Sequence, residues 1–437
     1  MSATENSAVE PTVGQSQEAI EYQPLSMPGV DPYSLDLADI DMNVGKLFQA
    51  GVHHDYFKRL REEAPIHYCD RNPWVGPFWS ITRYKDVMEV DKNHEVFSSE
   101  PSIALVDEIM PDAVVPTFIA MDPPIHDQQR KVVTPAVAPF RLAIMEDLIR
   151  ERTVEVLESL PIGEEFDWVE KVSIELTTRM LATLFDYPFE NRRQLTFWSD
   201  AATTPPEQMG LTGEERANHL LECLATFTEM FKERQRPGNE SEDFISLMAN
   251  HEHTKDLEGL GLLGNLLLLI VGGNDTTRNS MSGGIWFMDQ NPEQFVKIKQ
   301  NPKLIRAAVS ETIRYQTPLS YMRRTAKQDV EIGGKLIKKG DKVVMWYASA
   351  NRDPEAFENP DQFDIERGNV RSHTAFGYGL HRCLGNRVAE AQLRILWEEI
   401  LNRFDRVEVT GGPERLDHSF VHGIKSMNVV LHPKASF

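Results

Sequence analysis

The segment Phe376 Gly377 Tyr378 Gly379 Leu380 His381 Arg382 Cys383 Leu384 Gly385 sets a cysteine at the mouth of an amphipathic helix. Downstream, Ala389, Leu393, Leu396, Trp397, Ile400 and Phe404 share one apolar stripe, so that helix is anchored in a core and its start is held at Cys383. Free backbone N–H groups and the positive end of a helix dipole lower a thiol's pKa and favour the thiolate, the form that binds metal. The glycines on either side permit a tight turn that brings backbone close to a flat macrocycle. Taken alone, the cysteine reads equally well as a buried structural residue.

A second group, Gly272 Gly273 Asn274 Asp275 Thr276 Thr277, lies inside a long apolar helical pattern, where each glycine costs about 1 kcal/mol relative to alanine. A Thr276 hydroxyl bonded back to the carbonyl of residue 272 would bend the helix, and Gly273 would leave room beside the bend for a diatomic ligand. Read by themselves, Asp275 is a solvated acid and Thr276 a weak helix former. Glu311 and Arg314 are three apart on one helix face, a spacing that carries no signal on its own. His126 and Arg130, four apart on a helix opening after Pro123 and Pro124, put two potential cations on a face that can clamp a carboxylate. The histidine pairs at 53 and 54 and at 251 and 253 lack a third ligand and are expected at a solvated surface.

The elements that must position these groups are mostly helical. Apolar residues recur at three- and four-residue spacing over 44–64, 139–160, 174–185, 219–234, 257–288, 302–315 and 385–404. Strand signals are few: 78–82, 329–332 turning at Gly333 and Gly334 into 335–337, then 342–347 and 427–432. The expected fold is mainly α with a small β portion, as one domain over 26–437 behind a disordered polar tail over 1–25. The stretch 98–124 has no clear regular pattern and carries Ile103, Leu105, Val106, Ile109, Met110, Val114, Val115 and Phe118, the character of a lid or binding loop.

A formal charge of −21 argues against nucleic acid, which needs a basic surface. The first residues lack the basic and apolar regions of a secretory signal, and the apolar run at 266–271 is far short of the roughly 20 residues of a membrane helix. A soluble, cytoplasmic protein with no membrane span is expected. Three cysteines without zinc-type spacing leave no disulfide framework and point to a reducing compartment.

F-x-x-G-x-x-x-C-x-G, filled by Phe376, Gly379, Cys383 and Gly385, resembles the haem-binding signature of the cytochrome P-450 superfamily, and the other groups follow in that family's order. The resemblance implies haem b between the long central helix and the cysteine-bearing helix, with Cys383 as the axial iron ligand. It also implies His126, Arg130, Arg324 and His381 at the propionates, and Gly273, Phe376 and Gly385 against the macrocycle. Dioxygen would lie beside Gly273. Asp275 and Thr276 resemble the acid and alcohol pair that relays protons during dioxygen activation, and Glu311 and Arg314 a buried structural ion pair that fixes the cysteine loop. One departure stands out: Gln362 replaces an arginine that often completes this network, leaving Arg367 or Arg352 as substitutes.

More narrowly, G-G-N-D-T-T-R-N-S-M-S-G-G, Q-T-P-L-S-Y-M-R-R-T-A-K-Q-D-V and K-K-G-D-K-V-V-M-W-Y-A-S-A-N-R-D resemble the bacterial terminal alkane and fatty-acid hydroxylases. That likeness implies insertion of one atom of O2 at the end carbon of medium-chain alkanes, alcohols or fatty acids, with Leu269, Gly273, Leu319, Met322 and Phe420 against an apolar, chain-like substrate. Terpenes or steroids would suit the same apolar segments. The chain has no G-x-G-x-x-G element after a strand, so NAD(P)H must act through a separate ferredoxin and ferredoxin reductase. Arg130, Lys131, Arg382, Arg387 and Arg394 are the expected docking charges. A non-catalytic haem-thiolate sensor is the rival from another class, since it would use Cys383 and not need Asp275 or Thr276. A peroxide-driven peroxygenase would replace that acid and alcohol pair.

Overall fold

The structure is a computed structural model that describes residues 22–106, 115–238 and 241–434. It is mainly helical with small sheets. Its axis is the helix Gly259–Gln290, whose first half packs in a core with Leu181, Trp198 and Phe227 and whose second half packs with Ile313, Leu396 and Trp397. Gly272 to Thr276 therefore sit where the two cores meet. At 32 residues this helix is long and apolar enough to cross a membrane. It nevertheless buries Asn265, Asn274, Asp275, Arg278 and Asn279 among neighbouring helices, and those groups find hydrogen-bond partners inside the protein.

Most helices fall where the periodicity sets them, including Pro139–Glu158, Ile174–Leu184 and Asn386–Arg403. The helix Gly213–Arg234 starts earlier than its apolar pattern, because Thr212 and Glu215 form a reciprocal cap. The expected helix over 44–64 is two, Gly45–Gln49 and His53–Glu63, separated at Gly51 with φ +74°, a left-handed conformation that glycine adopts at low cost.

The largest sheet has five strands in the order Ile66–Cys69, Phe78–Ile81, Lys342–Trp346, Tyr321–Ala326, Phe97–Ser98. Tyr321–Ala326 escaped the sequence reading because Arg323 and Arg324 are buried within it, which spoils the alternation that marks a strand. This strand carries Arg324 to the cysteine side. The tail assignment changes too: Tyr22 donates to Asp41 Oδ2 at 2.9 Å, so the chain is tied down before residue 26. Residues 1–21 lie outside the described residues, as do Ile109, Met110 and Val114 of the proposed lid.

His53 corrects the surface expectation. The turn at Gly51 folds it inward, where it is 1% exposed, stacked 4.4 Å from Phe48 and edge-on 4.8 Å from His422, with His54 at 4.0 Å. His251 and His253 stay half-buried and exposed. Burial holds His53 and His54 well below the usual imidazole value of 6.5 and pushes His422 down to about 4. An unfolded chain binds protons at these sites before the folded one does, so their stability is present above pH 6.5 and lost as pH falls through the folded values. Thermal unfolding of the haem-loaded protein from about pH 7.5 to about pH 5.5 is expected to show a falling Tm that His53→Leu makes shallower; parallel curves would remove the cluster as the cause.

Candidate active site

Cys383 lies just ahead of the helix Asn386–Arg403, with Gly385 as N-cap residue. Its backbone N–H donates to Phe376 O at 2.8 Å, closing the loop on itself. Gly377 and Gly379 have φ of +65° and +68°, and a Cβ on Gly379 would meet Asp91 O at 2.9 Å, so this loop needs glycine for both conformation and space. Gly385 has an ordinary φ of −90° and open space on its Cβ side.

Burial pushes the Cys383 thiol up, against the expected lowering, while the backbone N–H groups of Gly385 and Asn386 and the guanidiniums of Arg130 and Arg382 pull it down. These are donors for a sulfur anion that a bound cation would hold deprotonated. Among the described residues no group of three His, Cys, Asp or Glu side chains is arranged to hold a metal ion. A single soft sulfur suits a metal that brings most of its ligands with it.

The cysteine opens onto a cavity of about 690 Å³. Phe376, Gly385, Gly273 and Thr276 line it beside Cys383, as do Leu269, Leu319, Met322 and Phe420. Arg130, Arg324 and His381 also reach it. His126 is buried behind His381, ring to ring at 4.2 Å. Two buried nitrogens, His126 Nε2 and His381 Nδ1, have no hydrogen-bond partner among the described residues. With Nε2 of a neutral His381 accepting from Ser99 Oγ, its Nδ1–H is an unpaired buried donor beside guanidiniums, which fits the anionic edge of haem, so the residues present match that cofactor. Burial holds both imidazoles below their usual value, His381 down to about 2, so they serve as neutral hydrogen-bonding groups and the charge comes from arginine.

Asp91 is a site residue that sequence reasoning missed. Its carboxylate pairs with Arg324 at 2.8 Å and accepts from the Tyr347 hydroxyl and the Tyr378 N–H, each at 2.8 Å. It ties the strand Tyr321–Ala326 to the cysteine loop and fixes the direction of Arg324. Ser99 Oγ does the same for His381, 2.9 Å from Nε2.

On the central helix, Thr276 Oγ donates to Gly272 O at 3.0 Å, the back-bond expected from the spacing. The open space lies at Gly272, where a Cβ meets nothing within 4 Å; a Cβ on Gly273 would come to 2.7 Å from Leu181 Cδ2. Room for a small ligand beside this turn is therefore on the Gly272 side, a correction that follows from how the helix is rotated against Ile174–Leu184.

Asp275 is not solvated and does not line the main cavity. It is 1% exposed and accepts from Arg278 Nη2 at 2.9 Å, Asn274 Nδ2 at 2.9 Å, Thr203 Oγ1 at 3.1 Å and Ser199 Oγ at 3.2 Å. Arg278 also pairs with the partly exposed Asp200 at 3.0 Å. Burial raises the Asp200 carboxyl, with Asp275 adding to the rise and Arg278 opposing it. Thr203, unmarked in the sequence, both touches Asp275 and lines the cavity.

Glu311 and Arg314 are fully buried and joined by two contacts of 2.7 Å. Arg314 Nη1 donates to Asn351 O at 2.6 Å and Pro360 O at 2.9 Å. Arg367 fills the role left by Gln362: it lies 3.4 Å from Glu311 and donates to the carbonyls of Asn359 and Gln362. Arg352 instead stacks on Tyr315 at 3.4 Å.

The cytochrome P450 family model matches residues 42–431. The linalool 8-monooxygenase of Pseudomonas putida is 38% identical over 90% of this chain and 99% of its own length. A methyl-branched lipid omega-hydroxylase of Mycobacterium tuberculosis is 29% identical over 92% of the chain and 96% of its own. The solved cytochrome P450-153 from Novosphingobium aromaticivorans has 42% identity and a TM-score of 0.83, covering 90% of this chain and 99% of that one. With its cysteine loop, buried Glu311–Arg314 pair and cavity disposed as described, the chain belongs to the cytochrome P450 family, the haem-thiolate monooxygenases.

Proposed function

We propose that this protein hydroxylates the terminal carbon of medium-chain alkanes, alcohols or fatty acids, with electrons from a separate ferredoxin and ferredoxin reductase in the cytoplasm. The observation that carries the reading is the apolar wall formed by Leu269, Leu319, Met322 and Phe420 in the cavity that Cys383 opens onto. The named activities of the lipid omega-hydroxylase and the terpene monooxygenase support oxidation of aliphatic chains.

Cys383 would hold the iron, and Arg130, Arg324, His126 and His381 the propionates. When bound, a thiolate-ligated haem supplies dioxygen activation and oxygen insertion into a C–H bond. The chain's own work is to exclude water along the apolar wall, to aim the substrate and to supply two protons per turnover. Thr276 keeps its hydroxyl at the cavity by its bond to Gly272 O. Asp275 stores a proton acceptor behind it, and Asp200 and Arg278 link that carboxylate toward solvent. Thr203 bridges Asp275 Oδ2 and the cavity. Lys131, Arg382 and Arg387 are exposed on the cysteine side and remain candidates for ferredoxin docking. Arg394 is committed to Glu146 and Glu398, and Arg130 is turned onto the Arg382 carbonyl, so neither belongs to that surface.

Product analysis with surrogate ferredoxin and reductase, over alkanes, primary alcohols and fatty acids, tests the reading. Terminal alcohols are the expected products. Subterminal products would replace the regiochemistry, and no oxygenated product from any chain substrate would favour the sensor.

The relay makes a separate prediction. Thr276→Ala is expected to leave haem absorbance and substrate binding unchanged while peroxide replaces alcohol per NAD(P)H consumed. Asp275→Asn is expected to slow turnover about 10²-fold, since loss of a general acid typically costs that or more. Haem content and Tm serve as controls, because Asp275 also neutralises Arg278. Full coupling in Thr276→Ala would refute the relay.

A further inference from the structure

Arg216 lines the same cavity as Cys383 but belongs to neither the cysteine loop nor the propionate group. It stands in the first turn of Gly213–Arg234, a helix whose start is fixed by the Thr212–Glu215 cap. Its Nε donates to Ala201 O at 2.6 Å and its Nη2 to Ala202 O at 3.3 Å, carbonyls in the last turn of Arg193–Thr203. These bonds hold the guanidinium in place without neutralising it. No carboxylate pairs with it among the described residues, and burial lowers its pKa with only the exposed Glu207 acting the other way. Nη1 has no partner among the described residues.

The remaining charges on this cavity are accounted for. Arg324 is paired with Asp91, Arg130 is beside Cys383, and Asp417 is held by Lys46 at 2.6 Å. Arg216 is thus a half-buried cation with no carboxylate partner among the described residues, on a cavity lined mainly by apolar side chains, an arrangement that costs desolvation unless an anion enters. Its two carbonyl bonds also steady the end of Arg193–Thr203, so a structural role alone has to be separated from a binding one.

We propose that Arg216 is a carboxylate-binding subsite: it takes the head group of a linear aliphatic acid, leaving the methyl end to extend along the apolar wall toward Cys383. This rests on the reading of the protein as a terminal hydroxylase of chain substrates and narrows it to fatty acids over alkanes. A guanidinium binds a carboxylate through paired N–H donors, which a lysine ammonium cannot reproduce.

The test is equilibrium binding to the haem-loaded enzyme, read from the substrate-induced change in haem absorbance and by calorimetry. The probes are dodecanoate, its methyl ester and dodecane. In the natural protein dodecanoate is expected to bind about tenfold or more tightly than the ester. Arg216→Gln is expected to remove that difference while leaving dodecane within about twofold, and Arg216→Lys to retain part of it. Equal affinity for acid and ester in the natural protein, failure to bind dodecanoate, or parallel weakening of acid and alkane in Arg216→Gln would each overturn the subsite. Should Arg216→Gln not fold, the acid-against-ester comparison and Arg216→Lys still decide it. Regiochemistry of the dodecane product reports on the terminal-hydroxylase reading separately.

Discussion

Replacing Cys383 by alanine is expected to abolish thiolate-ligated haem, so that the reduced, carbon-monoxide-bound protein shows no thiolate-type absorbance band. No other soft anionic donor lines the cavity among the described residues: Cys69 and Cys223 are buried elsewhere, and burial pushes both thiols far up. The Gly385 and Asn386 N–H groups and the Arg130 charge would be left facing a methyl group, which removes the reason for a flat, anionic cofactor to sit there. Haem per chain and the carbon-monoxide spectrum are the measurements. Cys69→Ala and Cys223→Ala are expected to keep both, and a thiolate-type band surviving in Cys383→Ala would overturn the ligand assignment.

Arg314→Ala is expected to destabilise the fold by about 3–5 kcal/mol, the usual cost of stripping one partner from a buried pair. Glu311 would keep only Arg367 at 3.4 Å and the Asp364 N–H at 2.9 Å, the Asn351 carbonyl would lose its Arg314 donor, and that of Pro360 would keep only Arg352 at 3.4 Å. Those carbonyls belong to segments that run into the cysteine loop, since Asn351 Oδ1 accepts from the Thr374 N–H at 2.7 Å. Haem retention should therefore fall together with the denaturation midpoint. Arg314→Lys is expected to recover little, because an ammonium cannot make the forked contact. The paired replacement Glu311→Leu with Arg314→Met is expected to cost less than Arg314→Ala alone, since no buried charge is then left uncompensated. A loss below about 1 kcal/mol in Arg314→Ala would show that the pair does not carry the loop.

Much of the machinery was legible in order along the chain. Helix periodicity located the central and cysteine-bearing helices within a few residues, and the Thr276 back-bond to Gly272 followed from a four-residue spacing that helix geometry enforces. The cysteine loop was legible because its glycines are forced by backbone conformation, as Gly377 and Gly379 show. Strands were less so, because a buried strand bearing paired arginines has no alternation to read.

The amino-acid sequence by itself set Cys383 in a glycine-rich loop at the start of a helix, put Asp275 and Thr276 on the long central helix, and made the protein mainly α. Those features depend on neighbours within a turn or a tight loop, where covalent geometry fixes what can touch. Only the tertiary structure decided the rest. Asp91 reaches Arg324 across 233 residues of chain, and Arg367 reaches Glu311 across 56. His53 became a core residue because one left-handed glycine turned it inward, and Asp275 became a locked carboxylate because Ser199 and Thr203 of a neighbouring helix converged on it beside Arg278. Arg216 acquired its meaning only from the cavity beside it and from the absence of a carboxylate partner among the described residues. Charge pairing, desolvation and unfilled space are properties of what surrounds a group in three dimensions, and local spacing leaves them open.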